Sequence, residues 1–204
     1  MNELAAPEAG SKIGVVPSLH GRLQDATAAV HERMHDHDGF RAIKEGAIDK
    51  SSYAQLLCRL YGFYRPFERA TGLADVRSQR LGQDLDALGL EATVREKILN
   101  CTDIPRLQTG HRRLGALYVV AGSALGGRQL ARGLDHLFPS DQTAGRRFFL
   151  GDGAQTGAVW RKYLAQLAAV PSGSGAFTEI IDAAVDTFAV FERWASGWKD
   201  TPHG

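Results

Sequence analysis

Residues 112–138, RRLGALYVVAGSALGGRQLARGLDHLF, place apolar side chains at helical spacing along most of their length, yet hold Gly122, Gly126 and Gly127 near the middle. A glycine inside a helix costs roughly 1 kcal/mol relative to alanine, so the three together give up roughly 3 kcal/mol of helix propensity. Whatever this chain folds into has to make use of bare backbone at that point. A phosphate cradle sets its glycines between a strand and a helix, in patterns such as GxGxxG, and GSALGG has neither that spacing nor a preceding strand. Close helix packing through a small-xxx-small ridge from Gly122 to Gly126 needs only another helix opposite. A flat ligand lying directly on the backbone needs more: an axial ligand on its other side, an apolar slot, and donors or cations for an acidic edge.

The rest of the chain is patterned as helix as well. Leu19, Leu23, Ala26, Val30 and Met34 recur at three to four residues, predicting a helix from Ser18, its N-cap, to Asp36. A second helix is expected from Ser51 or Ser52, carrying Tyr53, Leu56, Leu57, Leu60, Tyr61, Tyr64 and Phe67, with Pro66 kinking it or opening a new segment. Shorter helices fit VRSQRLGQDLDALG and EATVREKIL. The glycine-bearing helix is expected over about 111–137, a loop over about 138–154, and two final helices over about 155–168 and 176–198. No segment alternates apolar and polar residues between turn signals, so the expected fold class is all-α. With no internal repeat and no long linker, one domain is expected over about 18–199, after a mobile leader at 1–17 and before a frayed C-terminus at 200–204.

Composition narrows the partners. Lys and Arg number 24 against 23 Asp and Glu, which gives no electrostatic footprint for nucleic acid. The leader has no apolar run long enough for a signal or a membrane span. Cys58 and Cys101 lack metal or redox spacing and read as reduced thiols of a cytoplasmic protein.

HERMH at residues 31–35 matches the HExxH pattern, in which two histidines one turn apart share a zinc. No third ligand motif follows, and a polar helix end rich in His and Asp is ordinarily a solvated terminus near the helix dipole. Taken alone, His31, one turn past Thr27, reads as a core histidine. Taken with the glycine run it is a candidate axial ligand. The tyrosines and phenylalanines of the second and last helices are candidate walls, and Arg112, Arg113, Arg128, Arg132, Arg161 and Lys162 are candidate cations.

These pieces together resemble one family, the heme (haem) oxygenases, and its bacterial branch most of all. ATAAVHERMH resembles the family's proximal-helix signature, with Thr27 four residues before the iron-ligating histidine, which falls on His31. LGALYVVAGSALGG resembles its distal-helix signature, in which glycines four apart, here Gly122 and Gly126 with Gly127 beside them, carry the helix across the heme face. Weaker similarity in YAQLLCRLYGFYRPFE, VWRKYL and DTFAVFERW extends over nearly the whole domain. The resemblance implies a helical fold with heme b, both substrate and cofactor, between the two helices. It further implies oxidative opening of heme to biliverdin with release of carbon monoxide and ferrous iron. Electrons would come from an external ferredoxin or reductase, because the chain has no nucleotide or flavin motif; the resemblance implies either a bacteriophytochrome as receiver of biliverdin, the reading the similarity favours, or release of iron from acquired heme.

By position, Gly122, Ser123 and Gly126 fall on the family's catalytic stretch. Gln24, Tyr118 and Arg161 fall at or near sites where relatives bind the heme propionates. Three positions depart from the family pattern: Ser123 stands where many members have aspartate, Ala121 where some bacterial relatives have glutamate, and His35 where others place a carboxylate after the proximal histidine. A hydroxyl at position 123 relays a proton without holding waters as a carboxylate does. A non-catalytic heme sensor or carrier on the same fold is the alternative function, and a thiaminase-type enzyme of related helical fold a third.

Overall fold

The helical spacing becomes nine α-helices and two short 3-10 turns, with no strand, among residues 18–74, 76–172 and 174–200, which the computed structural model describes. They are α1 (Leu19–His35), α2 (Asp38–Lys44), α3 (Lys50–Thr71), α4 (Val76–Ala87), α5 (Ala92–Arg95), α6 (Gly110–Gly133), α7 (Arg147–Leu150), α8 (Thr156–Ala168) and α9 (Gly175–Ser196). The leader expected at 1–17 and the last four residues of the expected frayed end lie outside the described residues, while Asp200 closes a 3-10 turn that begins at Trp198. Among the described residues no helix is long and apolar enough to cross a membrane.

Three of the long helices, α1, α3 and α6, start where a side chain takes up an orphan backbone donor. Ser18 Oγ accepts from Gly21 N–H at 3.1 Å, Asp49 from Ser52 N–H at 2.8 Å, and Thr109 from Arg112 N–H at 3.1 Å. α3 then buries Tyr53, Leu56, Leu57, Leu60, Phe63 and Phe67 completely or nearly so, and forms the centre of the larger core. A smaller core joins Leu19 and Leu23 of α1, Tyr118 and Val119 of α6, Tyr163 and Leu167 of α8, and Ile180, Ala184 and Phe188 of α9. α9 is the shared support, since α1 and α6 each lie along it far more than they lie against one another.

Two buried carboxylates hold helix starts in place. Glu68 accepts from the Arg77 and Ser78 backbone N–H groups at 2.8 and 3.1 Å, fastening the first turn of α4 to the end of α3. Asp84 accepts from Arg147 and Phe148 N–H at 2.9 and 2.8 Å and so seats α7. A buried carboxylate is tolerable only when hydrogen-bonded in this way.

Four expectations are corrected. α3 runs unbroken through Pro66. The proline has no N–H for the Gly62 carbonyl four residues back, and Cys101 N–H donates to that carbonyl instead at 2.9 Å. The helix expected in EATVREKIL stops after Arg95, which lets the Leu99 carbonyl and Cys101 N–H reach Gly62. The glycine helix ends at Gly133 rather than near 137, where His136 caps it, one ring nitrogen 3.0 Å from Gly133 O and the other 2.7 Å from Ile48 O. The loop expected at 138–154 contains α7 and a 3-10 turn at Gly153–Gln155.

Candidate functional site

α6 carries six glycines, and beyond Gly110, which opens the helix with nothing within 4 Å, the missing side chains meet very different surroundings. A methyl at Gly115 would collide with the Ile180 carbonyl of α9, one at Gly127 with the Phe149 carbonyl of α7, and one at Gly133 with the Ile43 carbonyl of α2. Those three are glycine because a neighbouring backbone occupies the space. At Gly122 the nearest atoms would belong to the Trp160 ring edge, at 3.8 Å, and at Gly126 nothing lies within 4 Å. The expectation that all three central glycines serve a ligand therefore divides. Gly127 is buried and accounted for by packing, whereas Gly126 faces open space and Gly122, one turn before it on the same face, has room for a methyl beside the Trp160 ring.

On α1 the buried stripe runs Leu19, Leu23, Thr27 and stops there. His31, the next residue along that stripe, is exposed, which removes the core-histidine reading. Among the described residues its ring makes edge contacts only, with His35 at 4.5 Å and Phe188 of α9 at 6.4 Å between centroids, and no hydrogen bond. Its nitrogens are thus uncommitted. Gln24, two turns earlier on the same face, is also exposed.

α1 and α6 touch through Thr27 and Tyr118. The Thr27 hydroxyl donates to Leu23 O at 2.7 Å and interacts with the Tyr118 hydroxyl. Burial pushes the Tyr118 pKa up, against the opposing pull of Thr27. His31 lies one turn from Thr27 and Gly122 one turn from Tyr118, so each stands about 6 Å along its helix from this seam. Around the seam the rings of His20, Tyr118, Trp160 and Tyr163 form a cluster, with Trp160 stacked on Tyr163 at 5.7 Å and 14°. The Tyr163 hydroxyl donates to Leu114 O, and burial raises its pKa.

Ser123 turns back along its own helix. Its Oγ donates to Val120 O at 2.9 Å and meets the hydroxyl of fully buried Tyr64, whose pKa is raised chiefly by burial. Arg77 of α4 reaches the same Val120 carbonyl at 3.3 Å. Tyr64 was expected only as a wall tyrosine, with no tie to Ser123, and Arg77 was not among the expected site residues. Nothing local to either residue marks it, because each reaches Ser123 or its carbonyl only after α3 and α4 have packed.

The expected walls and cations are also redistributed. Tyr53, Phe63 and Phe67 of α3 belong to the larger core, and α9 supplies Phe188 beside His31. Arg112 is paired with Asp186 at 2.7 Å, and Arg113 donates to the carbonyls of Leu107 and Gln108. Arg128, Arg132, Arg161 and Lys162 have no ion-pair partner among the described residues. Arg161 is exposed on α8, one residue from Trp160, with its guanidinium near Gly157.

A family model for heme oxygenase matches residues 18–196. The chain belongs to the heme oxygenase family. Its sequence is 31% identical over 157 residues to a protein named heme oxygenase from Xanthomonas campestris pv. campestris (strain 8004), covering 74% of this chain and 93% of the relative. Its fold is similar to that of heme oxygenase from Leptospira interrogans, with a TM-score of 0.72, 18% identity and coverage of 88% and 99% of the two chains. It is also similar to heme oxygenase-1 from the cyanobacterium Synechocystis sp. PCC6803 in complex with heme, at a TM-score of 0.71, 18% identity and coverage of 90% and 93%. A third likeness is to the NO- and CO-bound heme oxygenase from Neisseria meningitidis, at 0.71, 20% and coverage of 92% and 94%.

The residues of this heme oxygenase family member fit the family's cofactor. A heme needs a neutral nitrogen for the iron, room for a flat ring and donors for two carboxylates. The chain offers the uncommitted imidazole of His31, the bare strip at Gly122 and Gly126, and the exposed Gln24 and Arg161. Leu125, 47% exposed beside the strip, adds an apolar surface that has no partner in the protein.

Proposed function

We propose that this chain opens heme to biliverdin, releasing carbon monoxide and ferrous iron, with His31 as the iron ligand and Gly122 and Gly126 as the floor of the site. One observation carries the assignment: inside α6 the backbone of neighbouring elements fills the space at Gly115, Gly127 and Gly133, whereas Gly126 is open and Gly122 meets only the Trp160 ring edge at 3.8 Å. Bound heme supplies both the oxygen-activating iron and the ring that is cleaved. His31 offers an uncommitted ring nitrogen from an exposed helix face, beside the rings of His35 and Phe188. Gly122 and Gly126 would keep side chains clear of a flat ring bound there, so the α6 backbone itself would form that wall of the site. The Ser123 hydroxyl, supported by Tyr64, holds a proton at the edge of that strip. Gln24 and Arg161 supply an amide and a cation for the propionates, and the Thr27–Tyr118 contact sets the separation of α1 and α6.

Electrons come from an external ferredoxin or reductase in this reading, and a bacteriophytochrome apoprotein receives the biliverdin in a cytoplasmic setting. The functional domain is taken as residues 18–199. The test is to titrate purified protein with heme, then add oxygen and a reductase system. Stoichiometric binding followed by loss of the Soret band and appearance of biliverdin is expected. Heme that stays bound and intact under those conditions would leave a carrier or sensor in place of an enzyme.

A further inference from the structure

Away from His31 and the glycine strip, α3, α4 and α5 enclose a cleft of about 480 Å³. Arg65 and Arg69 of α3 line it one helical turn apart, Gln79 and Gln83 of α4 do the same from the other wall, and Arg95 of α5 closes the rim. Arg95 runs over Gly82, donating to its carbonyl at 3.2 Å and to the Asp86 carboxylate. Asp86, the cleft's sole carboxylate among the described lining residues, is thereby committed. The Arg65 guanidinium lies 5.1 Å over the Tyr61 ring, and neither Arg65 nor Arg69 has an ion-pair partner among the described residues.

Three guanidinium groups thus share one concavity with a single, already paired carboxylate. Like charges so gathered repel, and an anion between them would relieve the repulsion. Guanidinium forks match carboxylate and phosphate oxygens two at a time, and the two glutamine amides add further N–H donors. The volume falls within the usual range of small-ligand sites, ~300–1,000 Å³. The cationic pair is carried on α3, the most deeply packed helix, so its spacing is fixed before any ligand arrives.

We propose that this cleft binds a small polyanion bearing at least two carboxylate or phosphate groups, at a site separate from His31 and the glycine strip. Isothermal titration calorimetry of the full chain with inorganic pyrophosphate and with citrate, at low and at physiological salt, tests it and tells the phosphate source from the carboxylate source. One saturable site per chain is expected for at least one probe, weakened roughly tenfold or more in R65Q/R69Q and unchanged in K44Q. Q83E, which places a carboxylate among the arginines without touching them, is expected to weaken the same site comparably and serves if the double variant does not fold. No saturable heat with either probe, equal affinity in wild type and these variants, or binding of an acidic peptide such as tetraglutamate while both small anions fail would overturn the proposal.

Discussion

At the scale of single residues the account rests on telling apart glycines that look alike in sequence. Gly126 pays a helix-propensity cost with no packing return inside the protein, so replacing it with alanine should stabilise the heme-free chain by up to about 1 kcal/mol. Gly127→Ala should do the opposite, losing about 1–3 kcal/mol by overpacking, because a methyl there meets the Phe149 carbonyl. Denaturant melts of the two heme-free variants check both signs, and a loss in each would return Gly126 to ordinary packing. His31→Ala should leave folding stability within about 0.5 kcal/mol, since the ring is exposed and unbonded. Its effect should appear in the spectrum, as loss of the histidine-ligated Soret band on heme titration. An unchanged band would remove His31 from the iron.

At the scale of elements, helix identity follows from apolar spacing and was legible along α1, α3, α6 and α9. The exceptions each have a partner distant in sequence. α2 was absent from the sequence reading because seven residues, opened by His37 without a side-chain cap, give too little periodicity. It forms because Ile43 enters the larger core and Asp38 accepts from Trp198 Nε1 at 2.6 Å. α7 is shorter still, and it stands because Asp84, sixty-odd residues earlier, accepts its first N–H groups.

Burial raises the Asp84 pKa from 3.8 to about 6, against the pull of the Phe148 and Arg147 backbone donors. A carboxyl whose folded pKa is raised contributes stability that is fully present below its unfolded value and is lost as pH rises through the folded one. Between about pH 4 and pH 7 the wild type should therefore lose roughly 3 kcal/mol through this group. Asp84→Asn keeps one acceptor and has no proton to lose, so its stability relative to wild type should rise across that window. Parallel stability curves for the two proteins would refute the assignment. Because α7 presents the Phe149 carbonyl to Gly127, the same window should loosen the packing behind the glycine strip.

At the scale of the whole molecule, α9 supports both α1 and α6, which meet at the Thr27–Tyr118 seam. His31 and the glycine pair were legible because each sits in a local pattern. Tyr64 at Ser123 and Trp160 at Gly122 were not, because only the packed fold brings α3 and α8 to α6. Leu125 and the uncommitted imidazole of His31 are both exposed, so a ligand that covers both should bind the folded state selectively. Saturating heme is then expected to raise the thermal midpoint, the stabilisation growing with the logarithm of heme concentration over Kd and reaching about 2.7 kcal/mol at a hundredfold excess.

The central claim is that the backbone at Gly126 is bare for a ligand and for no neighbour within the protein. It is tested most directly by single-turnover biliverdin formation in Gly126→Leu, measured beside the heme-free stability of the same variant. The account predicts a heme-free chain at least as stable as wild type that forms little or no biliverdin. Wild-type turnover, or a heme-free chain destabilised as much as Gly127→Ala, would contradict it.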